Sequence, residues 1–448
     1  MAEHRIDGIL ISTIDNVIQQ IATEWSMDFG KITIREVNIL GRGLQERLGI
    51  KIVGMDMGIP GLPTPPVIVE AQRAAITAKD CAQYTPFEGL PVLKEATAYF
   101  IRQFLGVRVE PRNCIPTVGG MHGCKEQIGL IGRMNPEKDT ILMLVPGFAV
   151  NTTQARAYGV KTTSLDVYEK YGQGLVDAIE ERFKQGNIAG LLWSSPNNPT
   201  WRVLSKRELE GIGKLLTKYD VIGIEDAAYF GLDSRMKNKR NPGKRPYFPS
   251  IAQYTENWVM LLSGSKIFNY AGERIGVVVM SEHVAELKGP GLPEWYGRET
   301  YWHALVQSGI YSTVASVPQS SQRALAAGFR AAADPEHPFD YFKYDIAYEQ
   351  LAEIARREFL KNGFTMPYAR DDIGKIGFGY YFTAAHPSFE DGAKLAMAML
   401  RCGMTAVPLI GFGGEHNEGV RLCTATLLTE DKYLILDSRV ETFKRLYG

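Results

Sequence analysis

The sequence predicts an α/β protein with a mostly parallel central sheet in a large domain and a smaller α+β domain formed by the N- and C-terminal parts. Three observations predict it. Short apolar runs of strand length alternate with longer helical patterns through the middle of the chain, as in repeated βαβ units. Polar residues gather at the C-terminal ends of those runs, where open α/β sheets hold ligands. The last third regroups into a long helical pattern, a strand and another helix, the mark of an α+β unit.

Element by element, Ile14 to Glu24 has helical periodicity, and the rest of the segment before Met57 reads as irregular chain expected to pack on the smaller domain. Val92 to Leu105 and Glu126 to Met134 read as helices. Ile141 to Val145, Leu191 to Trp193, Val221 to Ile224, Trp258 to Leu262 and Ile275 to Met280 read as buried strands. Ser205 to Tyr219 reads as a helix, since Ser205 and Glu208 have capping-box spacing ahead of a helical apolar stripe. A helix over Tyr341 to Asn362, a strand within GKIGFGYYFTAAH and a helix over Gly392 to Cys402 complete the chain. The domain boundary is expected in the helical stretch Gln319 to Arg330. This gives an N-terminal segment 1–56, a large domain 57–325 and a small domain 326–448.

The 448 residues suffice for two domains, and 45% hydrophobic content is ordinary for a globular protein. Lys+Arg and Asp+Glu both total 50, so the charge points neither to nucleic acid nor to an anionic membrane surface. Five cysteines without a C-x-x-C pair suggest a reducing, cytoplasmic setting. The N-terminus, with Asp7 and Asp15 around a short apolar run, does not read as an export signal. The longest apolar stretch, ILMLVPGFAV, is broken by Pro-Gly and falls short of the roughly 20 residues of a spanning helix. RMKNKRNPGKRP, Arg235 to Pro246, carries six basic residues and no acid and reads as a solvated surface loop ahead of a phosphate or partner site. GRGLQERLG near Gly41 follows no strand and fails as a dinucleotide fingerprint. The seven histidines show no ligand spacing, so no metal is expected.

The chemistry-bearing residues fall in order. One strand runs into SSPNNPT with Asn197, Asn198 and Pro199, the next into EDAAY with Glu225, Asp226 and Tyr229, and the next into SGSK with Lys266. Ahead of them TVGGMHG, Thr117 to Gly123, precedes a helix and offers backbone N–H groups to an anion. A buried lysine beside hydroxyls and a second cation has a depressed pKa and a nucleophilic neutral amine, the requirement for a Schiff base with an aldehyde. A pyridine ring used as an electron sink needs a buried carboxylate at its nitrogen, a place Asp226 can fill. A phosphate on the same cofactor suits Arg274, the serines and the glycine-rich turn.

In these motifs the chain resembles the fold-type I, pyridoxal-phosphate-dependent aminotransferases of class I/II, from about Met57 to the C-terminus. SGSKIFNYAGER is similar to the family's SxSK followed by arginine, which makes Lys266 the cofactor lysine and Ser263, Ser265 and Arg274 phosphate ligands. The resemblance implies that Asp226 pairs with the pyridine nitrogen and that Tyr229 and Asn198 hydrogen-bond the phenolic oxygen, Asn198 also bordering the substrate. It implies a phosphate turn at Gly119, Gly120 and Met121 and a ring-stacking aromatic at Phe148. Tyr84 in YTPFEGLP would reach the phosphate of a neighbouring subunit, which makes the protein a homodimer. Arg421 in EGVRLCTATL would grip the α-carboxylate of the substrate. The large domain is then the one that binds pyridoxal 5'-phosphate, and the expected partners are an amino acid and a 2-oxo acid, with no nucleic acid and no membrane.

Two departures stand out: NPTW replaces NPTG, so Trp201 occupies a turn position usual for glycine, and the segment before Met57 is long. Dicarboxylate-specific relatives supply a second arginine, from the partner subunit, near the position of Tyr311 or Ser312, where this chain has none. Arg298 lies upstream of it, and Trp295, Tyr296, Tyr301, Trp302 and Trp201 are the expected lining for an apolar or aromatic side chain.

Singly, each residue has an ordinary reading: a surface lysine, turn and packing residues, a core phenylalanine, a surface arginine. In this order and spacing they read as one site. The leading function is transamination, with Lys266 also serving as general base at the substrate Cα. The alternative is a lyase or decarboxylase on the same scaffold, because the protein chooses which Cα bond is cleaved. A regulatory module of this fold would carry an appended basic domain, for which the N-terminal segment lacks length and charge.

Overall fold

A computed structural model describes residues 4–336, 340, 342–427 and 430–448. Seven strands form the large sheet: β1 (Cys114–Thr117), β2 (Thr140–Val145), β3 (Lys161–Asp166), β4 (Ile188–Ser194), β5 (Ile222–Asp226), β6 (Trp258–Ser263) and β7 (Gly276–Met280). Their spatial order is β1-β7-β6-β5-β4-β2-β3. Only β7 runs antiparallel to its neighbours. The inner strands are continuous apolar runs because both faces are covered. Leu142, Leu144, Leu191, Trp193, Met260 and Leu262 enter one core, and Ile141, Met143, Leu192, Val259 and Leu261 enter the other. Strands β1 and β3, absent from the sequence reading, are the two edges; one contains Pro116 and the other begins with exposed polar residues.

Helix α1 (Ile11–Glu24) is as expected, but the chain after it is not irregular: Ile34–Leu48 forms a second helix, α2. Thr33 and Glu36 make its capping box, and Gly49 closes it at φ 69°. GRGLQERLG thus lies on this helix and its cap. Helices α3 (Pro91–Leu105), α4 (Gly119–Met134) and α5 (Lys206–Tyr219) flank the sheet, and the Ser205/Glu208 capping box is formed. Helix α4 starts seven residues earlier than its periodicity suggested, since its first turn is the glycine-rich segment itself. Helix α6 (Gln319–Ala333) packs on α3 and leads to α7 (Phe342–Lys361); Tyr341, the first residue of the expected helix, lies outside the described residues.

The C-terminal part folds around an antiparallel sheet of β8 (Tyr381–Ala385), β9 (Val407–Pro408) and β10 (Gly419–Cys423), with β10 in the centre, and helix α8 (Gly392–Arg401) packed on it. The N-terminal segment docks here. Ile14, Ile18 and Ile21 of α1 and Leu40 and Leu44 of α2 share a core with Leu400, and Val53–Gly54 pairs in parallel with Met404–Thr405. The basic loop is less free than expected: Arg235 is held by Asp233 and Asp371, and Lys237 and Arg240 both pair with Glu349 on α7. No helix among the described residues is long and apolar enough to cross a membrane.

Candidate active site

Strand β6 ends at Ser263, whose hydroxyl caps a one-turn helix, Gly264–Ile267, by accepting from Ser265 N at 3.2 Å. That turn lifts Lys266 out of the sheet plane, and its Nζ donates to the Gly58 carbonyl. Burial lowers the Lys266 pKa to about 8; the Cys423 thiol opposes the shift, while the Arg421 and Arg274 guanidiniums add to it. One strand over, Asp226 ends β5 and accepts from Ala228 N at 3.1 Å. Burial raises its pKa to about 6, and among the described residues no lysine or arginine pairs with it. Asp226 lines a cavity of about 310 Å³ together with Phe148, Asn151, Trp193, Ile410 and Phe412.

The anion cradle is the start of α4. Gly119 has φ 74°, and a Cβ there would stand 2.5 Å from the Arg274 guanidinium, so the arginine faces the open N–H groups of the first turn. His122 accepts from Val118 N at 3.1 Å through Nδ1, and burial drops its pKa to about 4, keeping it neutral. Met121 is exposed, and its carbonyl accepts from Gln154.

On the other side, Arg421 projects from β10 and is 1% exposed. It donates to Asn198 Oδ1 at 3.1 Å and to the Asp56 carbonyl, and its guanidinium lies 4.7 Å from the Tyr381 ring and 5.3 Å from Phe412. Asp56 is anchored by Asn38 of α2 at 3.0 Å and by Thr405, so the N-terminal segment helps to hold Arg421. The turn after β4 is built by Asn197, whose side chain binds Thr200 N at 3.1 Å and Thr200 Oγ1 at 2.8 Å. Trp201 closes it at φ 62°.

The sequence pattern of "Aminotransferase class I and II" matches residues 50–364, well over half of the chain. The chain belongs to that family. An LL-diaminopimelate aminotransferase of Gloeobacter violaceus is 25% identical over 386 residues, 83% of this chain and 86% of that protein. A probable aspartate aminotransferase of Methanocaldococcus jannaschii is 22% identical over 88% of this chain and 93% of its own length. The aspartate aminotransferase of Thermus thermophilus with maleate superposes with a TM-score of 0.73 at 21% identity, covering 93% of this chain and 96% of that one, which shows the fold. Class I and II aminotransferases move an amino group between an amino acid and a 2-oxo acid with pyridoxal phosphate, and this chain is an aminotransferase of that kind. The lyase alternative finds no support among these relatives.

The residues of the aminotransferase fit the cofactor. A buried amine with a lowered pKa, a buried carboxylate without a cation and a helix N-terminus faced by an arginine complement an aldehyde, a protonated pyridine and a phosphate in turn. Tyr84 is the expected ligand that the single chain leaves apart. It is 90% exposed and lines a separate cavity of about 370 Å³ with Val317 and Gln319.

Within this chain the rings expected as substrate lining are not brought to the cavity of Asp226 and Phe148. Tyr301 is fully buried and donates to Gln127, Tyr296 packs on the same core, Trp302 donates to Arg112 O at 3.0 Å, and Trp295 lies 4.3 Å from the Arg133 guanidinium. These rings cover α4, and Trp201 belongs to a different cluster with Tyr229, Tyr348, Tyr380 and Tyr381. Sequence reasoning missed Gly58, Asp56 and Tyr381. Of these, only the Tyr380-Tyr381 doublet left a visible trace.

Proposed function

We propose that Lys266 is the residue that holds pyridoxal phosphate in this aminotransferase and that moves the proton at the substrate Cα. The observation that carries the reading is electrostatic: one buried amine feels both Arg274, at the phosphate cradle, and Arg421, at the carboxylate site. When bound, the cofactor supplies the electron sink. Asp226 holds the pyridine nitrogen protonated, Tyr229 and Asn198 orient the phenolic oxygen, and Phe148 covers the ring. Gly119, Gly120, Met121, Ser263, Ser265 and Arg274 take the phosphate. Arg421 and Asn198 would bind the α-carboxylate, and Lys266 Nζ would take the proton from Cα and return it at C4′.

The working unit is a homodimer in which Tyr84 serves the neighbour's phosphate through an isologous contact, in the cytoplasm, with the division 1–56, 57–325 and 326–448. The relatives are named for donors as different as aspartate and LL-diaminopimelate and do not single one out. Phe412, 5.3 Å from the Arg421 guanidinium, lines the cavity together with Ile410, and the exposed Arg298 donates to the carbonyl of its neighbour Gly297. This favours donors with apolar or aromatic side chains over aspartate and glutamate, because an unpaired distal carboxylate loses solvation without gaining a partner.

A donor panel of aspartate, glutamate, alanine, methionine and phenylalanine, with and without a 2-oxo acid acceptor, tests both parts. Turnover without acceptor contradicts transamination. A preference for aspartate or glutamate above about a hundredfold in kcat/KM, roughly 2.7 kcal/mol, contradicts the specificity.

A further inference from the structure

The hydroxyls of Tyr229 and Tyr381 lie 2.6 Å apart, a short hydrogen bond between two buried phenols that are 152 residues apart in the chain. A phenol has one proton to give. Burial raises both pKa values, Tyr229 most of all, so both groups stay protonated and the pair holds two protons. On the reading above, on which this inference rests, Tyr229 spends its proton on the cofactor's phenolic oxygen. The bond between the two phenols must then be made with the other proton.

We propose that Tyr381 is a positioning residue of the reaction: its hydroxyl donates to Tyr229 Oη and so points the Tyr229 proton at the cofactor's phenolic oxygen.

The hydroxyl sits in a prepared place. Any Cβ at position 58 would collide with it, so Gly58 leaves the space it fills. The Tyr381 ring is held from one side by the Arg421 guanidinium, 4.7 Å from its centroid. From another side Trp201 meets both rings edge-on, with centroids 5.4 Å from Tyr229 and 6.0 Å from Tyr381. A phenol that accepts a hydrogen bond is a stronger donor in turn, because aligned bonds polarise one another. The arrangement therefore stabilises the ionised phenolic oxygen of the cofactor and lowers the pH at which the bound chromophore titrates. It also ties that oxygen to the carboxylate site, since Arg421 stacks on the same ring. Among the described residues, the charged and titratable groups facing the pair are Arg421 and Cys423 on β10, Asp226 at the end of β5 and the neighbouring phenol Tyr380, and all are common to the variants below.

The test is an absorbance titration of the bound cofactor in the holoenzyme, its Tyr381→Phe and Tyr229→Phe variants and the double variant, with cofactor dissociation measured alongside. Phenylalanine keeps the ring that packs on Arg421 and Trp201, so stoichiometric cofactor in each variant reports an intact site. Tyr381→Phe is expected to raise the midpoint by about 0.5–1 pH unit, the equivalent of one hydrogen bond, and to add nothing in the Tyr229→Phe background. A Tyr381→Phe midpoint unchanged within about 0.1 unit, beside a raised one for Tyr229→Phe, overturns the inference and leaves the cofactor assignment standing. An equal shift in both backgrounds also overturns it, because the effect then bypasses Tyr229. An unmoved midpoint in Tyr229→Phe overturns the role of Tyr229 itself, and the inference with it.

Discussion

Mixing the cofactor-free protein with pyridoxal phosphate across about pH 6 to pH 10 reads the state of Lys266 directly. The amine attacks an aldehyde only when neutral, so the capture rate follows its titration. Burial holds its pKa at about 8 against an ordinary 10.5, with the two arginines acting in the same direction. At pH 7 about one amine in ten is then neutral, against about three in ten thousand for a solvated lysine, an advantage of about 300-fold. The sign for stability follows: between about 8 and 10.5 the folded chain binds fewer protons than the unfolded one, so the penalty of burying this amine is full below pH 8 and is relieved as pH rises. Stopped-flow absorbance gives the rate. Free pyridoxal phosphate reacting with a blocked lysine, run in parallel, removes the cofactor's own titrations from the profile. Borohydride trapping with peptide mapping assigns the label. A midpoint above about 10 would refute the burial argument, and capture at an unchanged rate in Lys266→Ala would refute the assignment of the residue.

Arg421→Lys forfeits the second arm of a guanidinium fork, a charge-assisted bond of about 1.5–3 kcal/mol, so kcat/KM should fall about 10- to 150-fold by the same factor for every donor. A loss confined to some side chains would place the carboxylate elsewhere. Tyr84→Phe should weaken cofactor binding by on the order of 1 kcal/mol, about fivefold in Kd. A fully active monomer at assay concentration, seen by light scattering, would remove the subunit contact on which that expectation depends.

How far the sequence carried depended on whether a feature was local. Lys266, Asp226 and Asn198 could be singled out in the sequence because each stands at, or a few residues beyond, the end of a strand whose apolar run is continuous, and strand ends set where side chains emerge. Helix α2 was not. Gly41 and Gly43 interrupt IREVNILGRGLQERL and depress its helix propensity. The structure gives their reason: a Cβ at Gly41 would stand 2.7 Å from Thr405 Cγ2, and one at Gly43 would stand 2.5 Å from Ile21 Cδ1. The glycines allow close packing that no local pattern announces. The basic loop is largely exposed as expected, but the ion pairs of Arg235, Lys237 and Arg240 were not legible, because Asp371 and Glu349 lie more than a hundred residues downstream. Asp56 and Tyr381 reach the site only once the C-terminal sheet has docked, so their roles are tertiary facts.

Trp201 shows how such a tertiary fact can overrule a local rule. A bulky residue at φ 62° costs about 1–3 kcal/mol, which is why glycine suits this turn. The indole is fully buried, and covering about 200 Å² of it at about 25 cal/mol per Å² is worth about 5 kcal/mol, enough to offset the strain. That burial has its own requirement: Gly379 must lack a side chain, since any Cβ there would overlap the indole ring. Substituting tryptophan for glycine in the turn therefore needs a glycine on the strand approach opposite. The sequence left the substrate side of this loop open to the indole. The ring turns away from the cavity of Phe148 and Asp226 and packs behind Tyr229 and Tyr381. The departure from the family pattern thus keeps the indole out of that cavity and braces the hydrogen-bonded phenols of Tyr229 and Tyr381 from behind.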